Sequence, residues 1–459
     1  MVKDFDNLPK QVILWHNHFI FLNKGKSVQI NSICVIGLGY IGLPTASTFA
    51  THGVQVTGVD NNLEVVKSLQ SGKVHIFEPG LNEVVQEAIQ SGNFHVSQKT
   101  VAADAFIIAV PTPFYDGKKA DMRFVEAAAE SIVPVLRKGN LVVLESTSPP
   151  LTTRDRVLPI LEKSGLKAGQ DFLLAYSPER VLPGKIMDEL IHNARVIGGI
   201  DQVSAEAGRD LYRTFVEGEI YTTDSTTSEM VKLMENTYRD INIAIANEFS
   251  RLADRFGVDV WEAISIANKH PRVKILNPGP GVGGHCISVD PWFFVETAPD
   301  ITPLINTARN VNDQQPDFVI SMVKRALGDL KTKKIAVLGL AFKPDVDDLR
   351  ESPAVEVAEK LHKAGAEVLA CEPYKPDFKL EGITVSASME EVVKSADVVM
   401  FLVGHSQFKS LNPSELQKIT SSRVILDCVD ALDWEKTENR QPWLDAGFTV
   451  YRLGDRKNQ

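Results

Sequence analysis

Short apolar runs alternate with longer amphipathic segments through the first half of the chain. The runs that predict buried strands are residues 33–36, 57–60, 105–110, 141–144, 172–176 and 195–198. Helix-like segments such as 122–137 separate them. Strands that alternate with helices are typical of a parallel, doubly wound sheet. The pattern therefore predicts an α/β domain in this half.

The apolar spacing changes near Thr226, where it becomes that of one long helix ending at Phe256. A capping box formed by Thr226 and Glu229 predicts its start, and Gly257 predicts its end. Such a helix is longer than is usual in a globular domain. We expect it to form a spine between two domains or a contact between subunits.

From residue 333 the alternating pattern returns as a weaker copy of the first half. Residues 335–340 resemble 34–38, residues 367–372 resemble 54–60, and residues 396–401 resemble 103–108. The copy predicts two Rossmann-like, doubly wound parallel-sheet domains joined by a long central helix. The predicted boundaries are 1–30 for an N-terminal extension, 31–222 for the first α/β domain, 223–315 for a central helical domain, and 316–459 for the second α/β domain.

Composition narrows the kinds of partner that the chain can have. It has 459 residues, of which 44% are hydrophobic and 24% charged, with a net charge of −10. An acidic chain of this kind is not expected to bind nucleic acid or a membrane surface. No apolar run approaches a membrane span, and the first thirty residues lack the marks of a signal peptide. Four scattered cysteines predict neither a disulfide framework nor a metal site, so we expect a reducing, cytoplasmic setting.

A glycine motif after the first strand predicts the cofactor. Gly37, Gly39 and Gly42 form a G-x-G-x-x-G between a strand and a helix, which suits a pyrophosphate at a helix N-terminus. Asp60 ends the second strand, where a carboxylate accepts hydrogen bonds from a ribose diol and repels a 2′-phosphate. NAD is therefore favoured over NADP, and the alternative is a glycine turn without a ligand.

The second half has Gly339 but lacks the other glycines of the motif, so we expect no dinucleotide there. Lys343 and Arg350 follow this turn and suit a nucleotide diphosphate. Three nearby aspartates leave a solvated basic loop as the alternative.

The segment 277–286 (NPGPGVGGHC) predicts a tight loop that presents a thiol. A nearby cation or helix N-terminus would make Cys286 available as a nucleophile. Cys34, Cys371 and Cys428 lie in or beside apolar strands and fit inert, buried thiols. His285 is expected to support the loop rather than to bind a metal or act as a base.

Three residues near the long helix are further candidates. Lys232 and Asn236 are four residues apart and share one helix face, from which they could bind an oxyanion. Spacing alone favours a solvated helix face. Asp290 follows Cys286 by four residues and could orient a water molecule or the lysine, but spacing alone does not decide this.

Seven ordered stretches carry a resemblance to a known family. They are ICVIGLGYIGLPTA at 33–46, AVPTPF at 109–114, ESTSP at 145–149, SPERVLPGK at 177–185, EMVKLMENTYRDINIAIANE at 229–248, ANKHPRVKILNPGPGVGGHCISVDPWF at 267–293 and GLAFKPDVDDLRESPA at 339–354. From residue 32 almost to its C-terminus, the chain resembles the UDP-glucose/GDP-mannose dehydrogenase family. The resemblance implies a four-electron, NAD-dependent oxidation of a UDP-hexose at C6, with a UDP-sugar-binding C-terminal domain.

The resemblance also implies roles for individual residues. Cys286 matches the nucleophile that holds a thiohemiacetal and then a thioester, and Lys232 with Asn236 matches the oxyanion-stabilising pair. Asp290 and Thr147 match residues that position water, while Glu179 matches an acid/base candidate. The implied cofactor contacts are Gly37, Gly39, Tyr40, Ile41, Gly42, Asp60, Pro111, Thr112 and Thr147. The implied substrate contacts are Glu179, Arg180, Lys232, Asn236, Arg272, Gly283, Lys343 and Arg350.

Three further expectations follow from the resemblance. Arg272 matches an arginine that reaches a substrate across a dimer interface, so we expect at least a homodimer. Family members with His before the cysteine tend to act on N-acetylhexosamines, which favours UDP-N-acetyl-D-mannosamine, with UDP-N-acetylglucosamine and UDP-glucose as alternatives. The family usually has Val-Gly after ESTSP, whereas this chain has Pro150 and Leu151, which puts the placement of Thr147 in question.

Two other classes of function remain open at this stage. A single-step hydroxyacid dehydrogenase would share the glycine motif and a helix lysine but would not need Cys286. A non-catalytic NAD-sensing module would bind the cofactor without forming NADH.

Overall fold

The computed structural model describes residues 30–456 except 116, 285 and 435. The predicted extension 1–30 lies outside the described residues apart from Ile30, and so does the supporting role expected of His285. No helix within the described part of the chain is long and apolar enough to cross a membrane.

Ten strands lie in the described chain up to residue 224, eight of them in one sheet. They are β1 (Ser32–Ile36), β2 (Gln55–Val59), β3 (Phe94–Ser97), β4 (Ala105–Ile108), β5 (Phe114–Tyr115), β6 (Lys119–Ala120), β7 (Leu141–Leu144), β8 (Leu173–Tyr176), β9 (Arg195–Gly199) and β10 (Ile220–Asp224). The sheet order is β10-β9-β8-β7-β4-β1-β2-β3, and β5 with β6 forms a separate hairpin. All pairs in the large sheet are parallel except β8 with β9, which is antiparallel. The predicted doubly wound fold is confirmed, with this one departure from parallel pairing.

Helices cover both faces of the first sheet. They are α1 (Gly42–Thr51), α2 (Leu63–Gln70), α3 (Leu81–Gln90), α4 (Arg123–Ile132), α5 (Leu158–Leu161), α6 (Ile186–His192) and α7 (Gln202–Tyr212), with single turns at Val133–Val135, Thr153–Val157 and Glu162–Ser164. Side chains of β1 alternate between the faces. Ile33 and Val35 enter one apolar cluster, and Cys34 and Ile36 enter the other. Two cores on one sheet explain why its strands are apolar throughout.

Five helices and the loops between them make up the described residues from 225 to 327. The helices are α8 (Ser225–Phe256), α9 (Val260–Ala267), α10 (Asp290–Thr297), α11 (Pro303–Asp313) and α12 (Gln315–Leu327). The long helix α8 was predicted to within one residue, and Gly257 ends it in the left-handed conformation at φ 72°. The predicted capping box is wrong, because the side chain of Asp224 caps the helix by accepting from the N–H of Thr227. Aspartate is as good an N-cap as threonine or better, and here it precedes the helix directly.

The second α/β domain repeats the architecture in six parallel strands. Its elements are β11 (Lys334–Leu338), α13 (Pro353–Lys363), β12 (Glu367–Cys371), β13 (Thr384–Ser386), α14 (Met389–Val393), β14 (Val398–Phe401), α15 (Ser406–Lys409), α16 (Pro413–Ile419), β15 (Val424–Asp427), α17 (Thr437–Asp445) and β16 (Thr449–Arg452). The order β13-β12-β11-β14-β15-β16 places the first strand of the repeat at the centre, as in the first sheet. The prediction that the second half copies the first is therefore confirmed.

Candidate active site

The glycine turn lies at the carboxyl end of β1, whose neighbours in the sheet are β2 and β4, at the point where the strand order of a doubly wound sheet reverses. Gly37 has φ +95°, which a side chain would disfavour. A Cβ on Gly42 would lie 1.8 Å from the carbonyl oxygen of Gly37, so helix and strand need this glycine in order to pack. A Cβ on Gly39 would meet no atom within 4 Å. The turn therefore has no room for a side chain at Gly42, where helix and strand pack, but it has free space at Gly39, where a pyrophosphate would approach.

Asp60 lies directly after β2 and beside this turn. Its Oδ2 accepts from the N–H of Leu38 at 3.0 Å, and its Oδ1 accepts from the N–H of Asn62 at 2.9 Å. These bonds fix the carboxylate at the edge of the crevice, where a ribose diol can donate to its remaining lone pairs. The residues present therefore fit NAD.

The other predicted cofactor residues surround the same crevice. Ile41 precedes the first turn of α1, and Pro111 and Thr112 follow β4. Tyr40 faces the C-terminal domain, and its hydroxyl donates to Asp347 at 3.2 Å. Burial and the negative charge of Asp347 raise the pKa of Tyr40 to about 12, so the phenol stays protonated. The glycine turn is thereby linked to the opposite domain.

The cysteine loop rests on the C-terminal domain. The N–H of Gly284 donates to the carbonyl of Arg350 at 3.1 Å. A Cβ on Gly283 would lie 2.4 Å from the carbonyl oxygen of Glu351, and one on Gly284 would lie 2.8 Å from the ring of Phe342. The paired glycines thus allow a close approach between the loop and its support, which explains the glycine-rich sequence.

Cys286 lies at the end of this loop, where the chain enters α10. Its carbonyl accepts from the N–H groups of Val289 and Asp290, at 3.0 and 2.8 Å. It is an exposed residue, whereas Cys34, Cys371 and Cys428 are buried, as predicted. Protein packs closely around its thiol, although the residue as a whole is exposed.

The charged groups around Cys286 have opposing effects on the pKa of its thiol. Close packing and the carboxylate of Asp290 raise the pKa of the thiol above its usual value, while Lys232 and Arg350 lower it. A thiolate therefore depends on the two cations.

Asp290, Lys232 and Asn236 lie together beside the thiol. The side-chain amide of Asn236 donates to Asp290 Oδ2 at 2.5 Å. Lys232 is 8% exposed and Asp290 is 2% exposed, so neither belongs to a solvated helix face. Burial raises the pKa of Asp290 to about 6, against the opposing effects of Lys232 and Asn236. A carboxylate with this pKa can exchange a proton near neutral pH.

Glu179 lies in a buried cluster that the sequence did not reveal. Its Oε2 accepts from Arg195 at 2.5 Å, and its Oε1 accepts from the N–H of Arg180. Arg195 also donates to Glu145, whose pKa burial raises despite the cation. The signal was present, since an arginine begins the otherwise apolar strand β9, and a buried guanidinium requires carboxylate partners.

Arg180 and Thr147 occupy different settings. The guanidinium of Arg180 pairs with Glu235 on α8 and with the carbonyl of Ala194. These bonds use three of the five N–H donors of the guanidinium, and one N–H on each Nη is left for a substrate contact. Thr147 is half-buried and follows β7, at the same sheet edge as the cofactor turn.

The departure at Pro150 and Leu151 is accommodated by a buried glutamate. Leu151 adopts φ 74°, a conformation that favours glycine. Its N–H donates to Glu229 Oε2 at 2.6 Å, and the N–H and hydroxyl of Thr153 donate to Oε1. Glu229 thus ties the turn that follows Thr147 to α8, three residues from Lys232.

The predicted diphosphate ligands lie between the two α/β domains. The ammonium of Lys343 donates to the carbonyl of Pro183 in the first domain. Arg350 makes a bidentate pair with Asp348, at 2.9 and 2.7 Å, and lies 5.5 Å from the ring centre of Tyr40. Arg272 is exposed on the segment between α9 and the cysteine loop.

A dinucleotide crevice that fits NAD, beside an exposed cysteine and a buried lysine–carboxylate pair, points to a class of protein, the NAD-dependent dehydrogenases. Family models agree with this class along the chain. They are the NAD binding domain of the UDP-glucose/GDP-mannose dehydrogenase family at residues 31–216, its central domain at 226–314 and its UDP binding domain at 336–434. The chain belongs to the UDP-glucose/GDP-mannose dehydrogenase family.

Three relatives illustrate how similar the chain is to known members. UDP-N-acetyl-D-mannosamine dehydrogenase of Methanocaldococcus jannaschii is 49% identical over 432 residues, which cover 93% of this chain and 97% of the relative. The structure of UDP-D-ManNAc dehydrogenase from Pyrococcus horikoshii has a TM-score of 0.85 at 40% identity and covers 93% of this chain and 100% of that one. NDP-N-acetyl-D-galactosaminuronic acid dehydrogenase of Ralstonia nicotianae is 45% identical over 418 residues, covering 88% of this chain and 97% of the relative.

The predicted enzyme class is confirmed by these findings. The protein is an NAD-dependent UDP-sugar dehydrogenase, an oxidoreductase that takes a UDP-sugar as substrate. The different sugar in the name of the Ralstonia relative shows that overall identity alone does not fix the sugar.

Proposed function

We propose that the protein oxidises the C6 alcohol of UDP-N-acetyl-D-mannosamine to the carboxylate. The proposal is carried by one observation, the exposed Cys286 beside the buried Lys232 and Asp290. The names of the Methanocaldococcus and Pyrococcus relatives support the choice of sugar. The net reaction converts the alcohol, one water and two NAD into the carboxylate, two NADH and three protons.

Cys286 retains the intermediate between the two oxidations. NAD, when bound, accepts a hydride in each of them. The thiolate adds to the C6 aldehyde to give a thiohemiacetal, and the second oxidation leaves a thioester on the same sulfur. Water then attacks the thioester carbon and releases the thiol and the carboxylate. Covalent retention explains why an aldehyde need not leave the site.

Lys232 stabilises the negative charge that develops on the C6 oxygen at each stage. Its buried position makes an ammonium more effective than it would be in water. Asn236 fixes Asp290 through the 2.5 Å hydrogen bond. Asp290 can then orient water and accept its proton, since burial raises the pKa of the carboxyl to about 6.

In this proposal Glu179 and Thr147 lie with Asp290 among the residues that contact water or substrate during the reaction. Arg195 holds Glu179 in its buried position, and a carboxylate fixed in this way can accept a hydrogen bond from substrate or water. The clamp of Glu229 on the turn at Leu151 orders the chain after Thr147. The family position of Thr147 can thereby be kept despite the altered sequence.

The UDP end of the substrate is assigned to Lys343 and Arg350, with Gly283 and Arg180 nearer the sugar. Both cations lie between the α/β domains, and Arg350 already faces the cysteine loop through its carbonyl. A diphosphate replaces the carbonyl of Pro183 on Lys343 and competes with Asp348 for Arg350. Charge-assisted bonds to phosphate are stronger than the bond to a carbonyl that they replace.

We also propose that the enzyme is a homodimer built on α8. Large apolar side chains recur at helical spacing along one exposed face of this helix. They are Met230, Met234, Tyr238, Ile245, Phe249, Leu252 and Phe256. A continuous apolar face of this length is typical of a subunit interface. The same interface would bring the exposed Arg272 of one copy to the substrate site of the other.

Two measurements test the sugar and the covalent step. Initial rates with UDP-N-acetylmannosamine, UDP-N-acetylglucosamine, UDP-N-acetylgalactosamine and UDP-glucose should give the highest kcat/KM for the first. Acid quenching during turnover, followed by peptide mass analysis, should show the sugar acyl group on Cys286. A higher kcat/KM for another sugar would contradict the proposed substrate. The mechanism would be contradicted if wild type turned over without any adduct and Cys286→Ala kept full activity.

Sedimentation tests the interface. Tyr238→Arg places a charge on the proposed apolar face and should yield monomers at micromolar concentration. Leu444→Arg, at an exposed apolar residue of the C-terminal domain, is the matched control and should remain dimeric. A monomeric wild-type protein would contradict the proposal.

A further inference from the structure

The second α/β domain keeps the strand and glycine turn of a dinucleotide fold but continues differently. In the first domain α1 begins at Gly42, directly after the turn. In the second domain α13 begins only at Pro353, and the loop 340–352 fills the interval. The helix N-terminus that would receive a pyrophosphate is therefore moved away from the turn.

Glu372 satisfies the amides of this second turn. It follows β12, as Asp60 follows β2, and it is fully buried. Its Oε2 accepts from the N–H groups of Leu340 and Ala341 at 2.8 and 2.9 Å, and its Oε1 accepts from that of Tyr374 at 3.1 Å. A carboxylate of the protein itself therefore already accepts from these donors.

His405 joins this glutamate to the loop. The N–H of Asp345 donates to Nδ1 of the ring at 2.9 Å, so Nδ1 carries no proton. The proton of the neutral ring is then on Nε2, which donates to Glu372 Oε2 at 3.2 Å. The imidazole is fully buried and bridges the two residues. We call Glu372 and His405 together the latch.

The latch and further hydrogen bonds hold the loop at Asp345. Asp345 has φ 60°, which is uncommon for a residue other than glycine. Its carboxylate accepts from the hydroxyl of Tyr374 at 2.9 Å and from the N–H and hydroxyl of Ser406 at 2.9 and 2.6 Å. Although burial opposes ionisation, the hydrogen bonds from His405 and from backbone N–H groups keep the pKa of Glu372 below its usual value.

The other side of the same loop supports the cysteine. Phe342 packs under Gly284, and the carbonyl of Arg350 accepts from the N–H of Gly284. The carbonyl of Glu351 lies where a side chain on Gly283 would be. Contacts therefore run without a gap from His405, through the loop, to the glycines that precede Cys286.

We propose that Glu372 and His405 are positioning residues for the reaction, which act by fixing the support of the Cys286 loop. Neither touches the cofactor crevice or the buried Lys232. Displacement of the 340–350 loop would move Gly283 and Gly284, and with them the thiol relative to the lysine. The assignment rests on the proposed function for the role of Cys286 as nucleophile.

Substitutions of His405 that keep different halves of the bridge test the proposal. His405→Asn keeps an acceptor for the N–H of Asp345. His405→Gln can still donate toward Glu372 but leaves no acceptor at the Nδ1 position. We expect His405→Gln to lower kcat about tenfold, as misplacement of a reacting group does, with the equilibrium affinity for NAD unchanged. His405→Asn should stay within about threefold of wild type, well inside the loss that a displaced group causes.

His362→Ala is the matched control, because it removes a half-buried histidine of α13 in the same domain that makes no contact with the latch. It should leave kcat unchanged. Equal losses in all three variants would indicate general destabilisation of the domain and would overturn the proposal. Wild-type kcat in His405→Gln would overturn it as well.

Alkylation of Cys286 by iodoacetamide provides a readout that needs no sugar. Peptide mapping separates Cys286 from the three buried cysteines. We expect alkylation in His405→Gln to be about threefold faster than in wild type, since a loosened loop exposes the thiol, and His405→Asn to match wild type. If wild type oxidises no UDP-sugar, the proposed function fails, but this series still decides the positioning role. Equal rates in wild type and His405→Gln would refute it.

Discussion

Asp290→Asn should stabilise the protein while it impairs the reaction, and the gain should depend on pH. Asp290 is 2% exposed, and burial raises the pKa of its carboxyl from 3.8 to about 6. The folded state thus favours the protonated form more than the unfolded state does. Stability from this group is fully present below pH 3.8 and is lost as the pH rises through about 6. Asparagine resembles the protonated acid and avoids that loss.

The difference between 3.8 and about 6 sets the size of the effect. It corresponds to about 3 kcal/mol at a pH above both values, and this figure already includes the attraction to Lys232. For 459 residues that unfold as one unit, with about 2.1 cal/mol/K of unfolding entropy per residue, it corresponds to roughly 3 °C in Tm. The variant and wild type should have the same stability near pH 4 and differ by this amount near pH 8. The kcat should fall about a hundredfold, since a proton acceptor is lost.

Thermal unfolding of both proteins from pH 4 to pH 8 measures the effect. Asp121→Asn is the control of opposite sign. Its carboxylate pairs with Arg123 at 2.7 Å. This hydrogen bond is the main reason why the pKa of Asp121 lies below its usual value. The substitution should therefore lower Tm at pH 8. A Tm for Asp290→Asn at pH 8 that is equal to or below that of wild type would refute the conclusion that the ionised carboxylate of Asp290 destabilises the folded state.

Three further substitutions follow from the geometry. Leu151→Gly should raise Tm, because leucine at φ 74° loses about 1 kcal/mol to backbone strain; Leu151→Ala is the control, and an equal gain there would contradict the reasoning. Asp60→Asn should weaken NAD binding and reduce the preference for NAD over NADP, and an unchanged ratio of the two affinities would contradict the ribose contact. Arg195→Met should lower kcat/KM at least as much as Glu179→Gln, since it leaves two buried carboxylates without a cation; a smaller loss in Arg195→Met would exclude the positioning of Glu179 by Arg195.

The features that the sequence predicted are those with short-range signals. The apolar runs predict both sheets. The glycine turn and Asp60 predict the cofactor crevice, because these two features arise within one strand–helix–strand unit. The cysteine loop was evident from its glycines and prolines. Asn236 and Lys232 were placed on one face by helix spacing alone.

The features that were missed depend on contacts between distant segments. Glu229 was interpreted as a cap of its own helix, whereas it binds the backbone at Leu151. An arginine at the start of β9 signals a buried ion pair, but no local pattern indicates that its partners are Glu179 and Glu145. The antiparallel pairing of β9 with β8 likewise depends on which sheet edge is free, not on the strand's own residues. Resemblance indicated the candidate reacting residues but not the contacts that hold them in place.

The number of NADH molecules formed per molecule of limiting UDP-N-acetyl-D-mannosamine tests the central claim most directly. The account predicts two NADH per sugar with wild type, and no more than one with Cys286→Ala, because the second oxidation needs the covalent intermediate. One NADH per sugar with wild type, together with free aldehyde, would contradict the thioester mechanism.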